Sequence, residues 1–314
     1  IVRDSLSRTD NAISFLKSTL PPELLNRLDI NSLEVENGTF IENDLSELRS
    51  DLLFSIKTIS GNPLNVYILF EHKSYRDPKI FTQLLSYIAA IHKSQPVLMP
   101  VIPLVFYHDK KEWDLGCNFV DQFKLKPGDL KELQPYIVDF NFLLFELSKQ
   151  NVDDLNLITN LSMLLKLLHS FDFGLFEKNI VEIFSSWHIL INEDQGIEDL
   201  RKFIQFVYFK GEYSVEAISS KLAQISSELK EEAMTTGERL IQLGIKQGLE
   251  RGIEQGGLLK AKELLIKQLE RRFGPLSENE RETVLNCKNQ DKFESASIAF
   301  AENKTKEGVL AELT

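Results

Sequence analysis

Residues 64–87 read LNVYILFEHKSYRDPKIFTQLLSY. An apolar run, Val66 to Phe70, stops at Glu71, His72 and Lys73. Alternation puts Val66, Ile68 and Phe70 on one face of a strand and Tyr67, Leu69 and Glu71 on the other. Two apolar faces describe a strand buried in a sheet that is covered on both sides. Glu71 and Lys73, two apart, then project from the same face where the strand ends. After Pro78 the apolar residues Phe81, Leu84, Leu85, Ile88 and Ile91 recur at helical spacing. Gln83 and Tyr87, four apart, share one side of that helix.

Working outward, Ser50 to Lys57 is a second strand pattern and opens on Asp51. The turn signal Ser60-Gly61-Asn62-Pro63 joins the two strands. If they pair antiparallel, the start of the first lies beside the end of the second, and Asp51 meets Glu71 and Lys73. Two carboxylates there suit Mg²⁺ or Mn²⁺, which prefer hard oxygen ligands. Such a cation polarises a phosphoryl oxygen and lowers the pKa of bound water. Lys73 can hold that water and stabilise charge developing on the phosphate. Glu-x-Lys alone is a permissive motif and also fits an ordinary solvated strand end.

Asp51, Glu71-His72-Lys73, Gln83 and Tyr87 resemble the PD-(D/E)XK nuclease superfamily. The chain is similar, more closely, to the bacterial Rpn group of recombination-promoting nucleases, or putative transposases. The matching pieces are Leu20-Pro21-Pro22-Glu23-Leu24, Arg49-Ser50-Asp51-Leu52-Leu53, Glu71-His72-Lys73-Ser74, Asp77-Pro78 and the run Pro100 to His108. The glycine-rich C-terminal helix and Leu269 to Gly274 also fit. The resemblance implies a Mg²⁺- or Mn²⁺-dependent DNA endonuclease linked to recombination. Asp51, Glu71, Lys73 and Gln83 would be its catalytic residues. Asp51, Glu71 and the backbone carbonyl of His72 would hold the metal. The family's His-Asp pair in the first helix is expected to precede Ile1.

DNA is the implied partner, and the charge is mixed on this point. The net charge is −11, unfavourable for nucleic-acid binding, but local charge sets local attraction. From Glu71 to Lys111 six Lys/Arg face three acids. Arg76, Lys79 and Tyr87 are the candidate DNA contacts, and a normal solvated face is the alternative. The acids Glu42, Asp44 and Glu47 read as a solvated loop.

The order helix (residues 10–28, broken at Pro21-Pro22), three strands, helix, strand (Val101 to Tyr107) is α/β or α+β in class, a restriction-endonuclease-like core with a mixed central sheet. Pro103 is expected near a strand start or edge. Leu33 to Phe40, with its Asn37-Gly38 turn signal, reads as short strands, and Ile137 to Glu146 as a strand or helix. Beyond residue 151 the patterns at Leu155 to Leu168, Ile180 to Ile191 and Leu200 to Tyr208 are helical. The expected divisions are 1–150, a nuclease-like domain; 151–273, a helical region with a long glycine-repeat helix; and 274–314, two short helices.

Gly244, Gly248, Gly252 and Gly256 recur every fourth residue. In an exposed helix each costs about 1 kcal/mol relative to alanine, and a close helix–helix approach would offset that. Ile245, Leu249 and Ile253 flank the stripe, so a homodimer through the Gly244–Gly256 helix is expected, with a hinge as the alternative. The two cysteines, Cys117 and Cys287, form no disulfide framework. The longest apolar stretch, Val97 to Tyr107, is too short to span a bilayer. No signal peptide is visible, and a cytoplasmic location is expected. GxxxxGK[ST], GxSxG and HExxH are absent. A transposase using three acids would not need a lysine two residues after the glutamate. Two further readings stay open: a catalytically inactive nuclease-fold DNA-binding protein, and a helical self-association module on a nuclease-like scaffold.

Overall fold

The computed structural model describes residues 1–36, 52–59, 65–192 and 195–313. Asp51 lies outside them, as do Ser60-Gly61-Asn62-Pro63, Asn37-Gly38, Glu42, Asp44 and Glu47. The chain forms two compact units, Ile1–Gly237 and Glu238–Thr314, drawn at other positions than the divisions expected at 150 and 273.

The first unit is α/β. Three helices, α1 (Val2–Leu6), α2 (Thr9–Thr19) and α3 (Pro22–Leu25), lead into β1 (Leu28–Glu36), β2 (Leu52–Thr58) and β3 (Asn65–Lys73). Helix α4 (Ile80–Ser94) crosses to β4 (Val101–Tyr107). The short α5 (Pro127–Leu133) precedes β5 (Leu143–Glu146). The strands lie in sequence order, β1-β2-β3-β4-β5. The first three pair antiparallel, and β3–β4 and β4–β5 pair parallel. The expected antiparallel pairing of β2 with β3 is present, with Leu52 opposite Phe70. Of residues 137–146, expected as a strand or helix, only Leu143–Glu146 form a strand, β5. Pro103 sits one residue ahead of Leu104, where pairing with β5 begins. There β4 is still the edge of the sheet, and the missing N–H is tolerated.

Strand alternation divides the core in two. Phe54 and Ile56 of β2, Ile68 and Phe70 of β3, Leu104 and Phe106 of β4, and Phe145 of β5 face one side. Phe15 of α2 fills the middle of that layer, 5.1 Å from Phe145 and 5.9 Å from Phe70 between ring centroids. Full burial of each such side chain is worth about 1.5–3 kcal/mol. Leu53, Val105 and Tyr107 face the other side, against Ile80, Phe81, Leu84, Tyr87 and Ile91 of α4. Those α4 positions fall on one helical stripe. Both faces of the sheet are thus covered.

Helices α6 (Thr159–Asp172), α7 (Phe176–Phe184), α8 (Trp187–Leu190), α9 (Gly196–Gly211) and α10 (Val215–Leu222) follow. Leu161, Leu164, Ile180, Phe184, Leu200 and Ile204 join the hydrophobic layer that holds Phe15 and Phe70. A buried polar group reinforces the junction. Asn160 donates to Asp199 (3.0 Å) and to Asn11 (3.1 Å), and Arg8 pairs with Asp199 at 2.6 Å. Removing one member would leave a buried polar partner unmatched, at about 1–3 kcal/mol.

The 47-residue helix α11 (Ser227–Phe273) begins in the first unit and continues in the second. The second unit adds α12 (Glu278–Asn286), α13 (Gln290–Ala301) and α14 (Lys306–Ala311). That is three helices where two were expected. The side chains of Asn289 and Thr305 cap α13 and α14 and separate them from their predecessors. Leu265 and Leu269 of α11 pack with Val284, Phe293, Ala296 and Val309. Upstream on α11, Ile245, Leu249 and Ile253 are 63–67 % exposed. A Cβ added at Gly244, Gly248, Gly252 or Gly256 would meet nothing within 4 Å. Among the described residues no helix is long and apolar enough to cross a membrane.

Candidate active site

The parallel register aligns Glu71 with Val105, His72 with Phe106 and Lys73 with Tyr107 at the ends of β3 and β4. Strand parity sends Glu71 and Lys73 toward α4, and both are buried, at 4 % and 7 % exposure. Buried charges persist only when paired and hydrogen-bonded, and α4 supplies the partner. Gln83 accepts a hydrogen bond from the Lys73 ammonium at 2.7 Å through Oε1. Its Nε2 donates to Glu71 Oε1 at 2.8 Å and to the Tyr87 hydroxyl, also at 2.8 Å. Lys73 Nζ lies 3.4 Å from Glu71 Oε1. The strand end and the helix face expected from spacing therefore meet in one network.

Asp77, which the sequence marks only through the pair Asp77-Pro78, belongs to this network. Its Oδ2 accepts from Lys73 Nζ at 3.1 Å, and its Oδ1 from the Lys79 backbone N–H at 3.0 Å. Spacing four residues after Lys73, directly before the proline of the turn that leads into α4, is the signal that could have marked it. Burial works against the Lys73 charge, but the Asp77 hydrogen bond and the Glu71 carboxylate outweigh it and raise the pKa above the ordinary lysine value. Burial likewise opposes the Asp77 charge, yet the Lys79 N–H and the Lys73 ammonium hold its pKa below the usual carboxylate range.

His72 points to the other side of the sheet. Its ring stacks on His108, with centroids 5.0 Å apart, and His108 Nδ1 lies 2.7 Å from Asp172 Oδ2 at the end of α6. Burial first, then the neighbouring His108, the N-terminal charge and Lys73, lower the His72 pKa to about 3. The imidazole is neutral and turned away from Lys73, so only the His72 main chain is on the side where a ligand role was expected. Tyr87 is buried in the α4–sheet layer. Arg76 is exposed and its guanidinium pairs with Asp114. Lys79 is exposed at the first turn of α4.

Among the described residues no group of three or more His, Cys, Asp or Glu side chains is arranged to hold a metal. Glu71 offers carboxylate oxygens, the donor type that suits a hard divalent cation. Asp51, the other expected carboxylate, lies outside the described residues, next in sequence to Leu52, whose partner Phe70 adjoins Glu71.

Comparison with known proteins places these residues in a family. The family model described as putative transposase, YhgA-like, matches residues 1–202. Recombination-promoting nuclease RpnD of Escherichia coli O157:H7 is 32 % identical over 132 residues, 39 % of this chain and 50 % of that protein. Recombination-promoting nuclease RpnC of Escherichia coli K12 is 32 % identical over 129 residues, 39 % of this chain and 43 % of that protein. The inactive recombination-promoting nuclease-like protein RpnE of the same strain is 26 % identical over 292 residues, 88 % of each chain. The aligned part thus spans half or less of RpnD and RpnC but most of RpnE. No solved structure matches. The stretch matched by the family model holds the whole Glu71–Lys73–Asp77–Gln83 network, and the chain belongs to the YhgA-like putative transposase family, with the recombination-promoting nucleases among its relatives.

Proposed function

We propose that the chain is a divalent-metal-dependent DNA endonuclease of the PD-(D/E)XK kind. The observation that carries this reading is the buried Glu71–Gln83–Lys73 network at the end of β3. A carboxylate and an ammonium are held within 3.4 Å of each other at the end of a parallel pair of strands. Such strand ends are where α/β sheets bind ligands.

Asp51, Glu71 and the His72 carbonyl would hold Mg²⁺ or Mn²⁺. When bound, that cation supplies Lewis acidity toward a phosphoryl oxygen and acidifies water. The chain's own groups do the rest. Lys73 donates from its ammonium to the attacking water or to the phosphate oxygen on which charge accumulates. Gln83 holds Lys73 and Glu71 in their charged forms by presenting its carbonyl to the ammonium and its amide to the carboxylate. Lys79 contacts the DNA backbone from the first turn of α4. Arg76 can do so through the guanidinium N–H groups that Asp114 leaves free. In the same reading, the exposed Gly244–Gly256 stripe of α11 pairs with a second copy.

The names of three relatives, RpnD, RpnC and RpnA, support nuclease activity. The inactive designation of RpnE, matched over 88 % of its length, favours a second reading, a nuclease-like protein that binds DNA without cutting it. Incubating supercoiled plasmid with the full chain in Mg²⁺, Mn²⁺ or EDTA separates them. Nicked or linear product in the metal lanes alone supports the endonuclease. Retarded but intact plasmid in every lane supports the binding protein.

A further inference from the structure

We infer that Asp77 is the positioning residue of Lys73, anchoring its ammonium while accepting from the Lys79 N–H at the entry to the helix that carries Gln83. The inference rests on the nuclease reading for what Lys73 does, and on geometry alone for what Asp77 does.

A lysine ammonium has three N–H donors on a stem of four rotatable bonds. In this site two of them are taken, one by Gln83 Oε1 at 2.7 Å and one by Asp77 Oδ2 at 3.1 Å. The remaining direction faces Glu71 Oε1 at 3.4 Å, a looser contact. Gln83 and Asp77 therefore set where Nζ sits, and the third N–H is the one turned toward Glu71. Both Asp77 oxygens already accept, Oδ1 from the Lys79 N–H at 3.0 Å and Oδ2 from Lys73 at 3.1 Å.

The same carboxylate ties together two elements that must agree. Lys73 ends β3, and Lys79 opens the first turn of α4, where the Asp77 carbonyl also accepts from the Ile80 N–H at 3.1 Å. Gln83 sits one turn further along. Moving the helix start would shift the anchor and the bridging amide together. Sequence spacing supports this reading, because i and i+4 groups meet here across a chain reversal rather than along a helix.

Asp77→Asn is the informative change. Asparagine keeps an oxygen for the Lys79 N–H, since Asn and Asp both accept from the backbone two residues on, but removes the charge that holds Nζ. Amine acetylation of the full chain without DNA, followed by mass spectrometry, reads the anchor directly. Lys73 should be modified several-fold faster in the variant, with Lys166 unchanged as the internal reference. In plasmid cleavage kcat should fall about 10- to 100-fold, the usual cost of losing a group that orients a reacting side chain. KM and calorimetric Mn²⁺ affinity should stay as in wild type. Unchanged Lys73 modification overturns the proposal. So does a parallel loss of Mn²⁺ affinity, which would put Asp77 at the cation. If the wild type cuts no DNA, the nuclease reading falls, and the acetylation result still decides whether Asp77 holds Lys73.

Discussion

Gln83 accepts a 2.7 Å hydrogen bond from the ammonium of Lys73, ten residues earlier in the chain. That contact fixes which way the amide faces, since only its carbonyl can accept from a lysine. The amide end then has to face Glu71 and Tyr87, and it does, at 2.8 Å to each. A neutral side chain thus keeps a buried carboxylate and a buried ammonium both solvated by protein.

The first prediction tests that bridge. Gln83→Leu keeps the bulk and removes both polar ends. Glu71 and Lys73 then lose a hydrogen bond each in a buried setting, at a cost of about 1–3 kcal/mol in total stability. Urea unfolding should show a lower midpoint with an unchanged slope. A midpoint equal to wild type would mean that the bridge carries no stability.

The charged pair should divide by role. Glu71→Gln keeps size and removes the charge, so metal binding should weaken and cleavage collapse. Lys73→Ala leaves the carboxylates, so Mn²⁺ should still bind while cleavage falls by about a hundred- to a thousandfold, the usual cost of one lost transition-state stabiliser. Calorimetry and plasmid cleavage on the same preparations check both. Cleavage at the wild-type rate by Lys73→Ala would remove Lys73 from the mechanism.

Much of this arrangement is legible in the residues themselves. Val66 to Phe70 and Val101 to Tyr107 are apolar on both faces, and only a doubly covered strand satisfies them. Parity then places Glu71 and Lys73 together, and helical spacing places Gln83 with Tyr87. What spacing could not reveal depends on chain reversals and distant contacts. Asp77 reaches Lys73 because the chain turns between β3 and α4. His108 meets Asp172 across 64 residues. The first strand starts at Leu28, ahead of the expected start at Leu33. Its alternation is weak, and its register with β2 shifts between Asp29 and Glu34, so no single period marks it.

Metal should report on the folded site. A cation that binds only the native state adds about 2.7 kcal/mol at a hundredfold excess over its Kd. Melts in Mn²⁺ against EDTA should show a rise in Tm for wild type and none for Glu71→Gln or Asp51→Ala. An equal rise in all three would place the binding elsewhere.

The glycine stripe makes opposite predictions for helix and assembly. Gly248→Ala adds a Cβ into open space and should stabilise α11 by about 1 kcal/mol. Gly248→Leu should improve the helix as well, yet its bulk would block close approach by a second copy. Sedimentation should show wild type associating at micromolar concentration and Gly248→Leu dissociating. A monomeric wild type would end the dimer proposal and leave the stripe as a hinge.

The last prediction concerns acid. Glu280 receives a 2.6 Å contact from Lys306 and closes a capping box with Ser277 at the start of α12. The Lys306 ammonium first, and the Ser277 N–H and hydroxyl next, lower its pKa to about 2 from an ordinary value of 4.5. A carboxylate with a depressed folded pKa stabilises the native state above its unfolded pKa and loses that contribution as pH falls through the folded value. For Glu280 the window runs from about pH 5 down to about pH 2. Carboxyl-carbon NMR of the full chain should show Glu280 titrating below the other glutamates, and Lys306→Met should move it back toward the ordinary range. In Glu280→Gln the unfolding of the second unit should depend less on pH across that window. If Glu280 titrates near 4.5 in wild type, the Lys306 contact does not hold in solution, and the α12–α14 junction relies on apolar packing such as that of Val284 and Val309.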